Sequence, residues 1–213
     1  MKQKLLIIGA GNIGGFISYN INSFGNYELL GFLDDDPNKI GKQIYGSTVL
    51  GNIASIDEHI LAYGIAVVIG IGNPNTKRKI ADGFKGKTLF YPNFIGPNVW
   101  LSENVTVGEG IIIYPGTSIN YETSVEDFSI INMNCAIGHN CIIGKYSTLA
   151  PGVNLGGFTK VGCETDIGIG ASTIQGISMG SNVQIGGQTM VIKDINSDEV
   201  VVGNPARVIK VRK

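Results

Sequence analysis

Apolar side chains recur at every sixth position in the second half of the chain, and this period limits the possible folds more than any other feature. The series runs from Ile95 to Val191 without a register slip, and Thr173 is its one polar member. A second series, two residues earlier, runs from Val99 to Ala171 and is rich in small or β-branched side chains. Residues two apart share one face of a strand. Each hexad therefore supplies one large and one small inward side chain, a pattern that excludes an amphipathic helix.

Glycine accounts for 31 of the 213 residues and often follows the large inward residue directly, as Gly138 and Gly144 do. We expect these glycines to form the turns between strands. Gly157 and Gly187 stand one position further along, where bulkier residues are usual. A glycine there either permits a positive φ or lets a ligand approach the backbone.

This hexapeptide period resembles the left-handed parallel β-helix of the hexapeptide acyltransferases, in which three hexads make one turn of a triangular coil. The resemblance covers residues 95 to 192. The tail from Val200 to Arg207 resembles the ending of these enzymes, where the chain packs back along the coil. A β-helix that serves only as a scaffold is the alternative.

The first ninety residues have a different pattern, with short apolar runs separated by polar segments. Leu5 to Ile8 precede the sequence GAGNIGG, which has the GxGxxG spacing of a phosphate-binding loop between a strand and a helix. A second predicted strand, from Glu28 to Leu33, ends in Asp34 and Asp35, where a dinucleotide fold places its ribose-binding acid.

A third predicted strand, Ala66 to Ile71, is the last clear one before the repeat, so we expect three or four strands in this region. An NAD-dependent dehydrogenase is one interpretation, but half a Rossmann fold suits a mononucleotide better. Asn75 or Thr76 is expected to cap the next helix, whose residues Lys77 to Lys79 form either a basic binding face or a solvated one.

Together, GAGNIGG, FLDDDP, IGNPN and the coil resemble the sugar-nucleotide acetyltransferases of bacterial glycan biosynthesis over essentially the whole chain. The family includes N-acetyltransferases of nucleotide-linked 4-amino-sugars and the sialic acid O-acetyltransferases. The predicted fold is a small α/β Rossmann-like domain over residues 1–92, followed by an all-β left-handed β-helix with a C-terminal tail over 93–213. The resemblance assigns nucleotide-sugar binding to one residue set: Gly9, Gly11, Asn12, Asp34, Asp35, Asn73 and Asn132. Ile13 replaces a histidine that is common in the family.

Acetyl transfer needs a base for the proton of the attacking group and a donor for the tetrahedral oxyanion. By resemblance His139 is the general base, the Gly157 N–H is the oxyanion donor, and Gly157 and Gly187 contact acetyl-CoA. Gly157 follows His139 by eighteen residues, one turn of the predicted coil. The family often has an acid after the base, where this chain has Asn140, and some relatives have a second histidine where Thr148 stands.

The resemblance implies direct attack of a sugar amine on acetyl-CoA, the co-substrate, without a covalent intermediate. O-acetylation of a sugar hydroxyl is an alternative, as is a non-catalytic relative that only binds nucleotide-sugars. Cys135 and Cys141 lie at inward positions and are expected to pack in the core, and the three cysteines, with Cys163, form no zinc motif. His59 is expected to be a surface residue, so no metal site is predicted.

The charge balance, 16 Lys and Arg against 17 Asp and Glu, excludes a strongly basic nucleic-acid binder. No apolar run near the start is long enough for a membrane span, which predicts a cytoplasmic protein without membrane insertion. Apolar residues also lie between the inward positions, in Gly110 to Tyr114 and in Ile167 to Ile169. Outward apolar residues need a covering surface. We therefore expect a homotrimer of coils, as in the resembled enzymes, with each active site at a subunit interface.

Overall fold

The chain divides into two units in the computed structural model, which describes residues 2–60 and 65–212. The first unit contains Met1–Gly72 and Thr76–Phe94. The second contains Asn73–Asn75 and Ile95–Lys213. Each unit has its own sheet system.

The first unit is an α/β fold built on one six-stranded sheet. Its strands are β1 Gln3–Ile8, β2 Tyr27–Leu33, β3 Gln43–Ile44, β4 Ser47–Gly51, β5 Ile65–Ile69 and β6 Leu89–Phe90. Its helices are α1 Asn12–Tyr19 and α2 Pro74–Gly83, with short 3-10 helices at Ile21–Ser23 and Ile53–His59. The strand order is β3-β4-β2-β1-β5-β6, and only the β3–β4 pair is antiparallel. The apolar strands β1 and β5 lie side by side at the centre because their side chains are buried on both faces.

The expectation of three or four strands was wrong, since the sheet has six. The three additional strands are the β3–β4 hairpin and β6. The hairpin closes through Tyr45 and Gly46, which both have positive φ (49° and 78°). Two positive φ values form the tight turn whose twist matches paired strands. The expectation missed the hairpin because β3 and β4 lack a long apolar run, and it missed β6 because that strand is two residues long.

The second unit is a parallel β-helix of two-residue strands that ends in a hairpin. Its strands are β7 Phe94–Ile95, β8 Trp100–Leu101, β9 Thr106–Val107, β10 Ile112–Ile113, β11 Ser118–Ile119, β12 Ser124–Val125, β13 Ile130–Ile131, β14 Ala136–Ile137, β15 Ile142–Ile143, β16 Thr148–Leu149, β17 Asn154–Leu155, β18 Lys160–Val161, β19 Asp166–Ile167, β20 Ser172–Thr173, β21 Ser178–Met179, β22 Gln184–Ile185, β23 Met190–Val191, β24 Glu199–Val202 and β25 Arg207–Val211. Every third coil strand joins the same sheet, so the coil has three faces.

The register of the coil follows the hexad count from the sequence. Ile113 pairs with Ile131 and Ile119 with Ile137, each partner eighteen residues further along. The apolar members of both inward series form one continuous buried core that extends from Ile111 to Val201, and the earlier members, from Ile95 to Val107, are partly buried against it. The eight-stranded face ends with β24 and the antiparallel β25, so the tail returns along the coil.

The small inward positions are often Ser, Thr or Cys because their side chains satisfy backbone groups inside the coil. The Thr123 hydroxyl donates to the Gly138 carbonyl at 2.9 Å and accepts the Cys141 N–H at 3.1 Å. Ser147 makes the same two contacts with Gly162 and Thr165. Without these hydroxyl groups, the hydrogen bonds to the backbone groups inside the coil would be lost. The polar side chains therefore link each turn of the coil to the next.

The glycines that follow the large inward residue are not the left-handed turn residues. Left-handed φ values occur two positions later, at Asn140 (54°) and Phe158 (62°), for example. Gly138 is required for a different reason, because a Cβ there would lie 2.5 Å from the Gly157 nitrogen on the next turn. These glycines allow successive turns to stack at the corners.

One of the two outward apolar segments is already covered within the chain. Ile112 is fully buried and Tyr114 is 5% exposed, so Gly110 to Tyr114 does not present the bare apolar surface that the sequence predicted. Ile169 is 60% exposed, as predicted. Within residues 2–60 and 65–212, no helix has both the length and the apolar character that a membrane crossing requires.

Candidate active site and nucleotide pocket

His139 lies at the corner of the coil that follows β14 and contacts aromatic residues on both neighbouring turns. The Tyr121 ring stacks on the imidazole, with the centroids 5.1 Å apart and an interplanar angle of 10°. The Phe158 ring meets the imidazole edge-on at 4.9 Å. Tyr121 precedes His139 by one turn and Phe158 lies on the turn above. The imidazole is thus held at the surface of the coil and outside its core.

Hydrogen bonds fix one edge of the His139 ring. Nδ1 lies 2.9 Å from Asn140 Oδ1, and Asn140 Nδ2 donates to Glu122 Oε2 at 2.6 Å. Because the Asn140 oxygen can only accept, Nδ1 carries the proton and Nε2 has a free lone pair. A neutral imidazole of this tautomer is the form that a general base requires.

Gly157 lies directly above His139 and leaves room for its ring. A Cβ on Gly157 would lie 2.8 Å from His139 Nε2. Positive φ is not the reason for this glycine, because Gly157 is absent from the left-handed residues of the chain. Within the described part of the chain, the Gly157 N–H has no hydrogen-bond acceptor. Nε2 and a free N–H group therefore lie at the same corner.

Gly187 lies at a different corner from the His139 and Gly157 pair. Gly187 follows β22, which belongs to the eight-stranded face of the coil. His139 and Gly157 follow β14 and β17, which belong to the coil face with six strands. Asn132 follows β13, so it shares the corner line of Gly187 and does not adjoin His139. Its Oδ1 accepts the Met133 N–H at 2.8 Å. Thr148 lies on β16 and is 9% exposed, so it occupies no place beside the imidazole.

The inward cysteines pack in the core, as predicted. Cys135 and Cys141 are 1% and 0% exposed. Burial raises the pKa of both thiols, although hydrogen bonds from nearby groups oppose the shift. A thiol with a raised pKa is a poor nucleophile at neutral pH. No group of three or more His, Cys, Asp or Glu residues suited to a metal was found among the described residues.

Three glycines in and next to the loop after β1 have three different structural roles. Gly9 has a φ of 94°, which allows the turn. Gly14 packs so closely that a Cβ would collide with the Gly9 carbonyl oxygen. Gly11 has nothing within 4 Å of a Cβ and no positive φ, so its space is open above the N-terminus of α1. Open backbone N–H groups at a helix N-terminus suit a phosphate.

Asp34 and Asp35 follow the same strand but perform different tasks. Asp34 accepts the Ala10 N–H at 2.8 Å and pairs with Lys39 at 2.9 Å. Burial alone would raise the pKa of Asp34, but the hydrogen bonds and the charge of Lys39 hold it below the ordinary value. Asp35 accepts the Ile53 N–H through one oxygen. Asp34 thus fixes the glycine loop, and Asp35 is the better placed of the two for a ligand.

A pocket of about 580 Å³ lies beside Asp35 in the first unit. The 3-10 helix Ile53–His59 and α2 form its walls, with Lys79 and Lys87 at the lining. Lys87 pairs with Asp57 at 2.6 Å. An apolar pocket with an acid and the Lys79 ammonium group has the size and chemistry for a nucleobase.

The residues around α2 differ from their predicted roles. The helix begins at Pro74, a favoured first residue, so Asn73 takes the position before the helix and Asn75 and Thr76 are inside it. Lys77 is 1% exposed, so it does not lie on a solvated face of α2, whereas Lys79 is exposed. His59 ends a 3-10 helix and is half-buried.

Several residues at these sites were missed by the sequence analysis. At the coil corner they are Tyr121, Glu122 and Phe158. The eighteen-residue count that paired His139 with Gly157 also identifies them, since 121 and 122 lie one turn before 139 and 140. Near the glycine loop, the Tyr45 ring packs over Gly15, and its hydroxyl donates to Asn12 Oδ1 at 3.3 Å. No sequence pattern identifies Tyr45, since the contact joins a hairpin turn to a helix.

Two family models match the chain, one in each unit. The PglD N-terminal domain matches residues 4–84, and the bacterial transferase hexapeptide, described as six repeats, matches residues 122–157. The chain therefore combines a region similar to the PglD N-terminal domain with a coil similar to the hexapeptide repeats of bacterial transferases.

Solved structures that share both units are sugar acetyltransferases and related domains. The acetyltransferase domain of PglB from Neisseria gonorrhoeae FA1090, solved with acetyl coenzyme A, has a TM-score of 0.90 and 27% identity. The match covers 98% of this chain and all of that one. PerB from Caulobacter crescentus, solved with CoA and GDP-perosamine, has a TM-score of 0.87 and 25% identity over 97% of both chains.

The curated relatives match a smaller part of the chain. The redox-sensing transcriptional repressor Rex 1 of Thermotoga maritima is 26% identical over 97 residues, which are 43% of this chain and 47% of the repressor. This chain therefore spans about a third to a half of the length of the curated relatives that it matches.

Proposed function

We propose that this protein is an acetyl-CoA-dependent N-acetyltransferase of a nucleotide-linked amino-sugar, most simply a 4-amino-sugar of bacterial glycan biosynthesis. The observation that carries the proposal is the corner where His139 Nε2 lies beside the free Gly157 N–H, with Nδ1 anchored by Asn140. The similar PglB domain was solved with acetyl coenzyme A, and PerB was solved with CoA and GDP-perosamine. Both support a co-substrate and a nucleotide-sugar for this chain.

His139 acts as the general base in this proposal. The sugar amine attacks the thioester carbonyl carbon, and Nε2 accepts the proton that the amine loses as the new C–N bond forms. The Gly157 N–H donates to the oxyanion of the tetrahedral intermediate. The intermediate then collapses, the C–S bond breaks, and the CoA thiolate leaves and takes the proton from the His139 imidazolium, which restores the neutral base. With both substrates held together, no covalent enzyme intermediate is needed.

The first unit holds the nucleotide in this proposal. The diphosphate lies at the N-terminus of α1, where the missing Gly11 side chain permits close approach. The base occupies the pocket beside Asp35, whose carboxylate accepts hydrogen bonds from a nucleobase N–H. Asp34 is excluded from this contact by its bonds to Ala10 and Lys39.

A homotrimer completes the proposed site. His139 and Gly187 lie at different corners of one coil, so a single co-substrate reaches both only between two chains. Outward apolar residues, Phe158 at 55% exposure and Ile169 at 60%, gain a covering surface in such an assembly. Light scattering is expected to give three times 22.6 kDa. A fully active monomer would contradict the shared site.

Two measurements test the proposal. In a thermal-shift screen, acetyl-CoA and one nucleotide-sugar are each expected to stabilise the protein, by about 2.7 kcal/mol at 100 times Kd. Stabilisation by NAD alone would contradict the proposed nucleotide site. The His139→Ala variant is expected to lose roughly 10²- to 10⁴-fold in kcat and to retain acetyl-CoA binding. The His59→Ala variant is the matched control, because His59 lies outside the coil and does not line the pocket beside Asp35.

Paired substrates decide between amine and hydroxyl acetylation. An amino-sugar nucleotide is expected to turn over faster than the same sugar nucleotide with a hydroxyl at that carbon. Preferential acetylation of the hydroxyl would make the protein an O-acetyltransferase. Binding of both ligands without turnover of either would make it a non-catalytic nucleotide-sugar binder.

A further inference from the structure

The side chain of Asn140 connects His139 to a carboxylate on the preceding turn of the coil. His139 Nδ1 lies 2.9 Å from Asn140 Oδ1, and Asn140 Nδ2 lies 2.6 Å from Glu122 Oε2. Glu122 and Asn140 stand eighteen residues apart at the same corner, and both have a φ of 54°. The repeat therefore gives the two side chains the same backbone conformation one turn apart.

Glu122 determines which end of the Asn140 amide faces the imidazole. A carboxylate only accepts hydrogen bonds, so it binds the NH₂ group of Asn140 and repels the amide oxygen. The oxygen is then directed to His139, where it accepts the Nδ1 proton. Without Glu122, either face of the amide could meet the ring, and an NH₂ group facing Nδ1 would favour the tautomer with its proton on Nε2. That tautomer has its lone pair on Nδ1 and none on Nε2, where the proposed base acts.

Glu122 also supplies a charge that Asn140 lacks. When Nε2 accepts a proton, the ring becomes an imidazolium, and a nearby carboxylate stabilises that form. Within the described part of the chain, the ring also meets the Tyr121 phenol ring, the Phe158 ring and the Gly157 backbone. None of these three groups is a carboxylate.

We propose that Glu122 is a positioning residue that acts through Asn140 to set the tautomer of His139 and to stabilise its imidazolium. This inference rests on the proposed function, in which His139 is the base. The Asn140 and Glu122 pair then performs together the task of one acid adjacent to the base, with the charge displaced by one turn of the coil.

The test uses the Glu122→Gln variant, which keeps an oxygen for the Asn140 NH₂ group and removes the charge. We expect the His139 pKa to fall by about half a unit to one unit and kcat to fall roughly three- to tenfold. The limb of the pH–rate profile that reports His139 is expected to shift to lower pH. Glu164→Gln is the matched control, because Glu164 occupies the same position of its hexad, with a φ of 58°, at a corner of another face.

NMR of histidine labelled at the imidazole carbons measures the His139 pKa without any assay of activity. The chain has two histidines, so the spectrum contains His139 and one internal reference, His59. A lowered His139 pKa with an unchanged His59 pKa supports the inference, even if the protein proves inactive. That separates failure of the proposed function from failure of this inference.

A rescue variant tells a charge effect from a structural one. Adding Asn140→Asp to Glu122→Gln places a carboxylate directly on Nδ1, and we expect the His139 pKa and kcat to recover to at least the wild-type values. In a chain that keeps Glu122, Asn140→Asp would place two carboxylates next to each other. We expect this single variant to have a lower kcat than the double variant. An unchanged His139 pKa in Glu122→Gln, or a loss equal to that of Glu164→Gln, would overturn the inference.

Discussion

Gly11, in the loop after β1, and Gly157, at the His139 corner of the coil, each leave space beside a backbone N–H group because they have no Cβ. The two sites differ in what occupies that space. The space at Gly11 is empty for 4 Å. The space at Gly157 is occupied by the imidazole of His139, 2.8 Å from the Cβ position. The comparison shows that the space left by a missing Cβ either stays open, as at Gly11, or is filled by a neighbouring side chain, as at Gly157. The residues one turn of the coil or one helix away decide between these two cases.

Among the variants that test this comparison, Gly157→Ala is expected to have the largest effect. The added methyl group lies against Nε2, so the imidazole must move, and a displacement of about 1 Å can cost roughly 10²-fold in rate. We expect kcat to fall by that factor. Steady-state kinetics with saturating acetyl-CoA measures it.

Gly187→Ala provides the contrast to Gly157→Ala within the coil. A Cβ at Gly187 meets only the Ile169 backbone, with its carbonyl oxygen at 3.2 Å and its nitrogen at 3.8 Å, and no histidine. This variant is expected to raise the KM for acetyl-CoA more than it lowers kcat. Wild-type kcat in Gly157→Ala would show that the ring position does not depend on this glycine.

The two loop glycines Gly11 and Gly14 give the next largest effect and separate binding from folding. Gly14→Ala puts a methyl group against the Gly9 carbonyl, so the free energy of unfolding is expected to fall by about 1–3 kcal/mol. Gly11→Ala meets no protein atom and is expected to leave the melting temperature unchanged while the nucleotide Kd rises about tenfold. Denaturant unfolding and calorimetric titration measure the two quantities. If Gly11→Ala destabilises the fold as much as Gly14→Ala, the space at Gly11 is not open for a ligand.

The smallest expected effect concerns the acids that border the loop. Asp34→Ala removes the acceptor of the Ala10 N–H and the partner of Lys39, so the protein is expected to lose about 1–2 kcal/mol of stability at pH 7. Asp35→Ala is expected to weaken nucleotide binding more than folding.

The pH dependence of the Asp34→Ala effect follows from the lowered pKa of Asp34. The ionised carboxylate stabilises the fold above the unfolded-state pKa of about 3.9, and this contribution is lost as the pH falls through the lower folded-state pKa. Urea unfolding of wild type and Asp34→Ala should therefore differ at pH 7 and converge in acid. A constant difference across that range would contradict an ionic role for Asp34.

The repeat made the coil predictable from sequence because a period of six fixes both the inward faces and the strand partners. Counting by eighteen from His139 finds Gly157, and the same count finds Tyr121. The count does not predict that the Asn140 side-chain oxygen faces the imidazole, because the orientation of this amide depends on its hydrogen bond to the Glu122 carboxylate.

The first unit was predicted less completely because it lacks a period. Its two apolar central strands were identified, but the hairpin was missed because a turn at Tyr45 and Gly46 produces it, without a hydrophobic run. The separate tasks of Asp34 and Asp35 also depend on contacts with Ala10, Lys39 and Ile53, which come from three different segments.

The position of β14 within its face of the coil has a consequence for local unfolding. The face runs β23-β20-β17-β14-β11-β8, so two strands lie on one side of β14 and three on the other. In a repeat protein each turn contacts only its neighbours, so the ends fray first and a lost terminal turn breaks a single interface. Tyr121, Glu122, Gly157 and Phe158 all belong to the turns directly adjacent to His139. Amide hydrogen exchange is therefore expected to be slowest around the histidine, and chains shortened or lengthened by whole eighteen-residue turns at either end are expected to keep the same constellation.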